Sequence, residues 1–112
     1  MAKDPMDLLY GTLDVLILRS LTAGPAHGYA VSRWIETRTG GVFAIEDAAL
    51  YKALHRLEAA GAVTAIWGIS DSNRRAKYYE LTRTGRTMLK SESAVWHRYA
   101  AAVLSVLKGA EA

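Results

Sequence analysis

The chain contains no cysteine in its 112 residues. That excludes a disulfide scaffold, a thiolate metal site and a cysteine nucleophile together, and it suits a reducing cytosol. Long apolar runs are also missing. The stretch that follows Met1-Ala2-Lys3-Asp4-Pro5 is interrupted by Asp7, Gly11, Asp14 and Arg19. It reads neither as a signal peptide nor as a membrane span of roughly 20 apolar residues, so a cytoplasmic protein with no membrane partner is expected. The three histidines, His27, His55 and His97, have no metal-ligand spacing. Neither a nucleophile motif nor a phosphate-cradling glycine loop is present. No catalytic residue, metal or cofactor is therefore expected, and the chain does not read as an enzyme. Internal repeats, low-complexity tracts and linkers are absent too, which leaves one continuous folding unit.

Hydrophobic residues make up 51% of the chain, enough for a folded core. The net charge of +3 is unevenly spread. Residues 1–49 carry four Lys/Arg against six Asp/Glu, residues 50–90 carry eight against three, and residues 91–112 carry two of each. A basic middle between an acidic start and a neutral end is the footprint of a surface that meets a polyanion. A solvated basic face without a partner would have the same composition, so the placement of the cations has to decide.

Local signals define the elements. Asp4 can cap a helix with Pro5 and Asp7 in its first turn, and the helix is predicted to run to about Thr22, before Ala23-Gly24-Pro25. Leu8, Leu9, Leu13, Leu16, Ile17 and Leu21 line it, with Tyr10, Val15 and Leu18 at the sides. That stripe is too wide for one contact, so packing on two sides is expected. A second helix is predicted from about His27 to Arg38, with Tyr29, Val31, Trp34 and Ile35 mostly inward. Val42–Ile45 reads as a short extended piece. A third helix spans about Glu46 to Ala60 and is closed by Gly61 in the left-handed region. Two strands, Ala62–Ser70 and Arg75–Leu81, flank the polar turn Asp71-Ser72-Asn73-Arg74. Thr82 caps a last helix to about Leu107, its first turn weakened by Gly85. The fold class is mainly α with a β-hairpin wing: a winged helix-turn-helix over residues 1–82, followed by a dimerisation helix over residues 83–112.

The third helix has two faces. At about 100° per residue, Leu50, Ala53, Leu54 and Leu57 form its core stripe. Ala48, Lys52, His55 and Ala59 lie opposite, flanked by Tyr51 and Arg56. Small residues there allow close approach, and the donors suit phosphates and base edges. Asp47 and Glu46 at its start would repel a phosphate unless they only cap. An ordinary solvated face remains the plain alternative. The hairpin tip shifts the balance, because Arg74, Arg75 and Lys77 cluster beside Asn73, with Arg83, Arg86 and Lys90 close behind. The candidate DNA-binding residues are therefore Ala48, Tyr51, Lys52, His55, Arg56, Asn73, Arg74, Arg75 and Lys77.

Several spaced motifs occur together: Leu9-Tyr10-Gly11-Thr12-Leu13-Asp14, Ile17-Leu18, His27-Gly28-Tyr29, Leu50 through Glu58, Gly61, Arg75 through Thr82, and Gly85. In this order they resemble the PadR family of transcriptional regulators over about residues 8–107. The run from Trp67-Gly68 to Lys77, with the short terminal helix, is similar to a subgroup common in Acidobacteria. The resemblance implies a winged-helix homodimer, usually a repressor, on a palindromic double-stranded DNA operator. It implies that Tyr51 and its neighbours approach the DNA while the wing lies against the backbone or minor groove. Two positions depart from the family pattern. Ala48-Ala49 stand where Gly-Ser or Gly-Thr is usual, and Lys52 where Pro is usual, which puts operator sequence and phosphate geometry in question.

The last helix repeats Leu89, Trp96 and Val103 at seven-residue steps, with Tyr99 and Val106 beside them. Met88, Val95, Leu104 and Leu107 form a second strip. Heptad recurrence suits a helix–helix seam. The resemblance pairs this helix with the partner's first helix, so Leu9, Leu13, Leu16, Leu89, Val95, Trp96, Tyr99, Val103 and Val106 are the candidate dimer interface. Some members of the family bind flat aromatic effectors near this seam. Trp96 is the candidate platform for one, its alternative role being interface packing. Trp34 and Trp67 are assigned to core and wing packing. The rival functional reading is a winged-helix adaptor that binds protein instead of DNA. Such an adaptor would not need cations on its wing.

Overall fold

A computed structural model describes Pro5, Leu9 and residues 11–109. Seven elements follow in order: α1 (Leu13–Ser20), β1 (Ala26–His27), α2 (Gly28–Arg38), α3 (Asp47–Ala59), β2 (Val63–Ile69), β3 (Arg75–Leu81) and α4 (Arg83–Gly109). The strands form one antiparallel sheet in the order β1-β3-β2. Three helices, a hairpin and a long last helix match the expected winged helix-turn-helix. The third strand was not anticipated. Ala26–His27 is too short to display any periodicity, yet it pairs with Tyr78 and Tyr79 on the free edge of β3.

α1 is shorter than expected. Gly11 takes φ +93°, a left-handed conformation that breaks a right-handed helix, and α1 starts only at Leu13. The amides of Thr12 and Leu13 turn back onto the Leu9 carbonyl instead. Asp4 and Asp7, the expected cap and first-turn acid, lie outside the described residues. Within the protomer α1 packs against α2, α3 and α4, burying Ile17 and Leu18 completely. Leu13, Val15 and Leu16 of the same stripe stay half-buried, and Leu8 and Tyr10 lie outside the described residues.

The core is continuous. Ile17, Leu18 and Leu21 meet Val31 and Ile35 of α2, Leu50, Ala53, Leu54 and Leu57 of α3, and Val63, Tyr79 and Leu81 of the sheet. On α2, Tyr29 is 63% exposed and Trp34 37% exposed, which corrects their inward assignment and removes Trp34 from the core. The wheel explains both. Gly28, Val31 and Ile35 are the buried residues of α2; at about 100° per residue, Tyr29 and Trp34 fall roughly 90° or more from their centre. Val42–Ile45 joins no strand. Phe43 and Ile45 instead close the edge of the core, and the Phe43 amide donates to Thr39 Oγ1.

Backbone geometry sets the joints around α3 and α4. Gly61 closes α3 at φ +77°, and the amides of Gly61 and Ala62 donate to the Glu58 and Leu57 carbonyls. That pair of bonds is a Schellman ending. Thr82 Oγ1 accepts from the Gly85 amide at 3.0 Å and donates back to the Gly61 carbonyl at 2.6 Å, capping α4 and tying it to the end of α3. Gly85, expected only as a weak point in the first turn, also has a packing role. Any side chain there would collide with the Ala62 carbonyl, so its bareness lets α4 dock at all. The first turns of α4 place Met88 and Leu89 against the core.

Candidate nucleic-acid interface

α3 presents its outer side to solvent along its length. Ala48, Tyr51, Lys52, His55, Arg56 and Ala59 are all exposed, while the opposite stripe is buried. The helix carries no side-chain cap at Glu46, and Asp47 sits in its first turn. Acidic charge therefore meets the positive end of the helix dipole at the terminus, and the cations come later, at Lys52 and Arg56.

Four of these exposed residues divide between two grooves. His27, Tyr29, Tyr51 and His55 share the first with Ser70, Ser72, Arg74, Arg75, Ala76, Lys77 and Tyr79 of the sheet and wing, around a volume of about 550 Å³. Lys52 and Arg56 face the second, between α3, α1 and the 44–46 segment. Arg56 Nη2 donates to Asp14 Oδ1 at 2.6 Å. A residue expected to face DNA is thus ion-paired to α1.

Tyr51 is held by its surroundings. Its ring lies against the backbone of Gly28, where an added Cβ would come within 2.6 Å of the phenol oxygen. Burial, followed by the neighbouring Tyr79 and Asp47, pushes the phenol above its ordinary range; like any tyrosine at neutral pH, it carries a proton that it can donate. His27 caps α2 by accepting from the Ala30 amide at Nδ1, 3.1 Å away. This helix-start role for His27 agrees with the sequence reading. Because Nδ1 accepts, the ring proton of neutral His27 sits on Nε2.

The wing turn is closed by backbone hydrogen bonds, with the Ser70 hydroxyl accepting from the Arg74 amide. Asn73 adopts φ 61°, a conformation that asparagine tolerates. Its amide donates to the Ser70 carbonyl, and the Ser70 amide donates to the Arg74 carbonyl, both at 2.8 Å. Arg74 and Arg75 are exposed. Lys77 reaches Glu58 at 3.8 Å, joining the wing to α3. Of the nine residues expected at this surface, Tyr51, His55, Arg74, Arg75 and Lys77 line the groove shared by α3 and the wing, Lys52 and Arg56 line the one toward α1, and Ala48 and Asn73 line neither. Sequence reasoning missed His27 and Tyr29. The wheel position of Tyr29 carried a usable signal, whereas the pairing of β1 with β3 carried none.

The expected interface residues fall into two groups. Leu9 is buried in its own protomer, and Leu13, Leu16 and Leu89 are half-buried against the same core. Val95, Trp96, Tyr99, Val103 and Val106 stand on the distal part of α4 and are exposed, Trp96 at 42% and Val106 at 72%.

An exposed helix face beside a cationic hairpin, carried on a helix-turn-helix, is the architecture of many transcription regulators. The model of the transcriptional regulator PadR-like family matches residues 17–91. A protein of Lysinibacillus sphaericus described as uncharacterised is 36% identical over 91 residues, covering 80% of this chain and 83% of that one. Among solved structures, a PadR family transcriptional regulator from Eggerthella lenta superposes with a TM-score of 0.76 at 33% identity, over 92% of this chain and 88% of its own. A transcriptional regulator from Clostridium thermocellum gives 0.78 at 29% identity, over 87% and 94%. The chain belongs to the PadR-like family of transcriptional regulators, a family of regulators and not of enzymes. No described helix is long and apolar enough to cross a membrane.

Proposed function

We propose that the protein is a sequence-specific, double-stranded-DNA-binding regulator that works as a homodimer in the cytoplasm, in the manner of a repressor on a palindromic operator. The observation that carries this reading is the shared side of α3 and the wing. There Tyr51 and His55 stand exposed next to Arg74, Arg75 and Lys77, on the same helix as the exposed Ala48. Small residues and donors on a helix suit a major groove, and cations on a hairpin suit the flanking phosphates.

The homodimer draws support from α4. Its 27 residues extend about 40 Å at 1.5 Å each, and from Ala94 to Lys108 every residue but Ala100 is exposed. Val95, Trp96, Tyr99, Val103, Val106 and Leu107 fall within about 120° of one another on the wheel, so they form one stripe. Two subunits joined there would address half-sites about one helical turn apart. Trp96, with Tyr99 at 6.5 Å between ring centroids, is also the platform on which a flat aromatic effector would stack to release the DNA.

Selection of bound fragments from genomic DNA tests the reading directly. Recovery of a short inverted repeat, bound by two chains per site at moderate salt, is the expected outcome. A protein that retains no fragment even at low ionic strength would refute it. Lys52→Ala then resolves the second groove: a weaker complex with an unchanged melting temperature places Lys52 in contact with DNA.

A further inference from the structure

The wing carries an arrangement that charge counting does not reveal. The register of β2 and β3 sets Trp67 directly opposite Lys77 and Ile69 directly opposite Arg75. Side chains two apart on a strand share a face, so Tyr79, Lys77 and Arg75 alternate along β3 with Trp67 and Ile69 facing them. Aromatic and cation interleave in this row. Lys77 lies 5.4 Å from the Tyr79 ring centroid and pairs with Glu58. The Arg75 guanidinium lies 4.4 Å from the Trp67 ring centroid, the shortest cation–ring distance among the described residues. Arg75 makes no ion pair among the described residues, and Trp67 is itself 56% exposed.

Stacking engages the face of a guanidinium and leaves the donors in its plane free. The indole also displaces water from one side of the cation and restricts a side chain that would otherwise lose much rotamer freedom on docking. An arginine prepared in this way suits a narrow, electronegative cleft better than an open phosphate, where a mobile lysine would serve as well. The minor groove of duplex DNA is such a cleft. It is about 6 Å wide and narrower still over A·T tracts, where its negative potential deepens. The reach is adequate. Beyond the buried Tyr79, four further residues of β3 extend the wing by about 13 Å at 3.3 Å per residue, on the scale of one sugar-phosphate strand.

We propose that Arg75 reads minor-groove width beside the operator half-site, and that Trp67 is the positioning residue that makes it able to. The proposal rests on the DNA-binding reading above and adds a preference to it: A·T-rich sequence where the wing lands, at positions that α3 does not touch. Arg74, at the turn and without a ring beneath it, is left as an ordinary phosphate contact.

The test uses the full chain and an operator fragment recovered by selection, with the flanking wing step built as A·T, as G·C and as inosine·C. Inosine lacks the amino group that G places in the minor groove while keeping the major-groove edge of G. Wild-type protein is expected to bind the A·T flank about tenfold more tightly than the G·C flank, and inosine·C should restore most of the difference. Trp67→Ala and Arg75→Lys should both bring the A·T to G·C ratio close to one. Trp67→Ala removes no charge, so its salt dependence should stay that of wild type. Trp67→Phe keeps a ring and should retain part of the ratio, with circular dichroism confirming the fold of each variant. If Trp67→Ala keeps the full ratio, or if both variants weaken all three flanks equally, Arg75 is a backbone contact and the proposal is wrong. Wild-type protein that binds none of the fragments would instead overturn the DNA-binding reading on which it stands.

Discussion

Two surfaces of this protein are left uncovered, and they differ in kind. The side formed by α3 and the wing exposes donors and cations; the distal half of α4 exposes valine, leucine, tyrosine and tryptophan. Water solvates the first at little cost. A basic face demands nothing of its surroundings, and its function has to be argued from placement. The second surface is costly in water. A continuous stripe that includes Trp96, Tyr99, Val103 and Val106 forgoes on the order of 1 kcal/mol or more for each large side chain left half in solvent. Physical chemistry therefore argues more strongly for a partner on α4 than for one on α3. The two meet at one joint. Thr82 and Gly85 fix the start of α4 to the end of α3 through the Gly61 and Ala62 carbonyls, so the orientation of the apolar stripe sets where two reading helices would lie.

The sharpest way to break the comparison is to make the second surface resemble the first. Trp96→Asp places a charge in the middle of the stripe without touching the core, since α4 is supported by Met88 and Leu89 well before it. Monomers are expected by light scattering, with an unchanged far-ultraviolet spectrum. Without bivalent binding, operator affinity should fall by about 10²-fold or more. A dimer that survives the substitution would move the seam off this face of α4.

The reverse manipulation neutralises the first surface. Arg74→Ala combined with Arg75→Ala should leave the dimer intact and weaken DNA binding on every sequence, roughly tenfold on sites with G·C flanks and further on sites with A·T flanks. It should also reduce the slope of log affinity against log salt by about 0.9 for each phosphate that the wing no longer neutralises. A slope equal to that of wild type would mean that the wing does not meet the polyanion. Together the two experiments ask whether association and DNA binding can be separated along the chain.

The parts legible in sequence were those written in local pattern. α3 and β3 emerged nearly to the residue because a buried stripe at helical spacing, a closing glycine and a polar turn each act over a few positions. Thr82 as a cap and His27 as a helix start were readable for the same reason. What escaped depends on residues far apart in the chain. Arg56 meets Asp14 across 42 positions, and no pattern around either residue announces the other. β1 exists only because β3 has a free edge beside it. Gly85 has the look of a flaw in a helix until the Ala62 carbonyl is set against it. Tyr29 and Trp34 are a different case. Their angles on the wheel point outward, and hydrophobicity alone misleads at both positions.

Gly28 provides the smallest effect and the finest test of how the reading surface is held. It occupies the first turn of α2, where alanine would ordinarily be favourable by up to about 1 kcal/mol. The ring of Tyr51 lies against it, however, and a methyl group would press on the phenol end of that side chain. The ring can swing toward solvent, so Gly28→Ala should fold with a melting temperature within a few degrees of wild type. Displacing Tyr51 should weaken DNA binding only severalfold, without altering the salt slope, because the charge is unchanged. Tyr51→Ala should weaken it to a similar extent. The decisive measurement is the pair: once Tyr51 is alanine, Gly28→Ala has no ring left to move and should cost no further affinity. If the two effects instead add, Gly28 acts on DNA by another route and the reading helix does not depend on it to aim Tyr51.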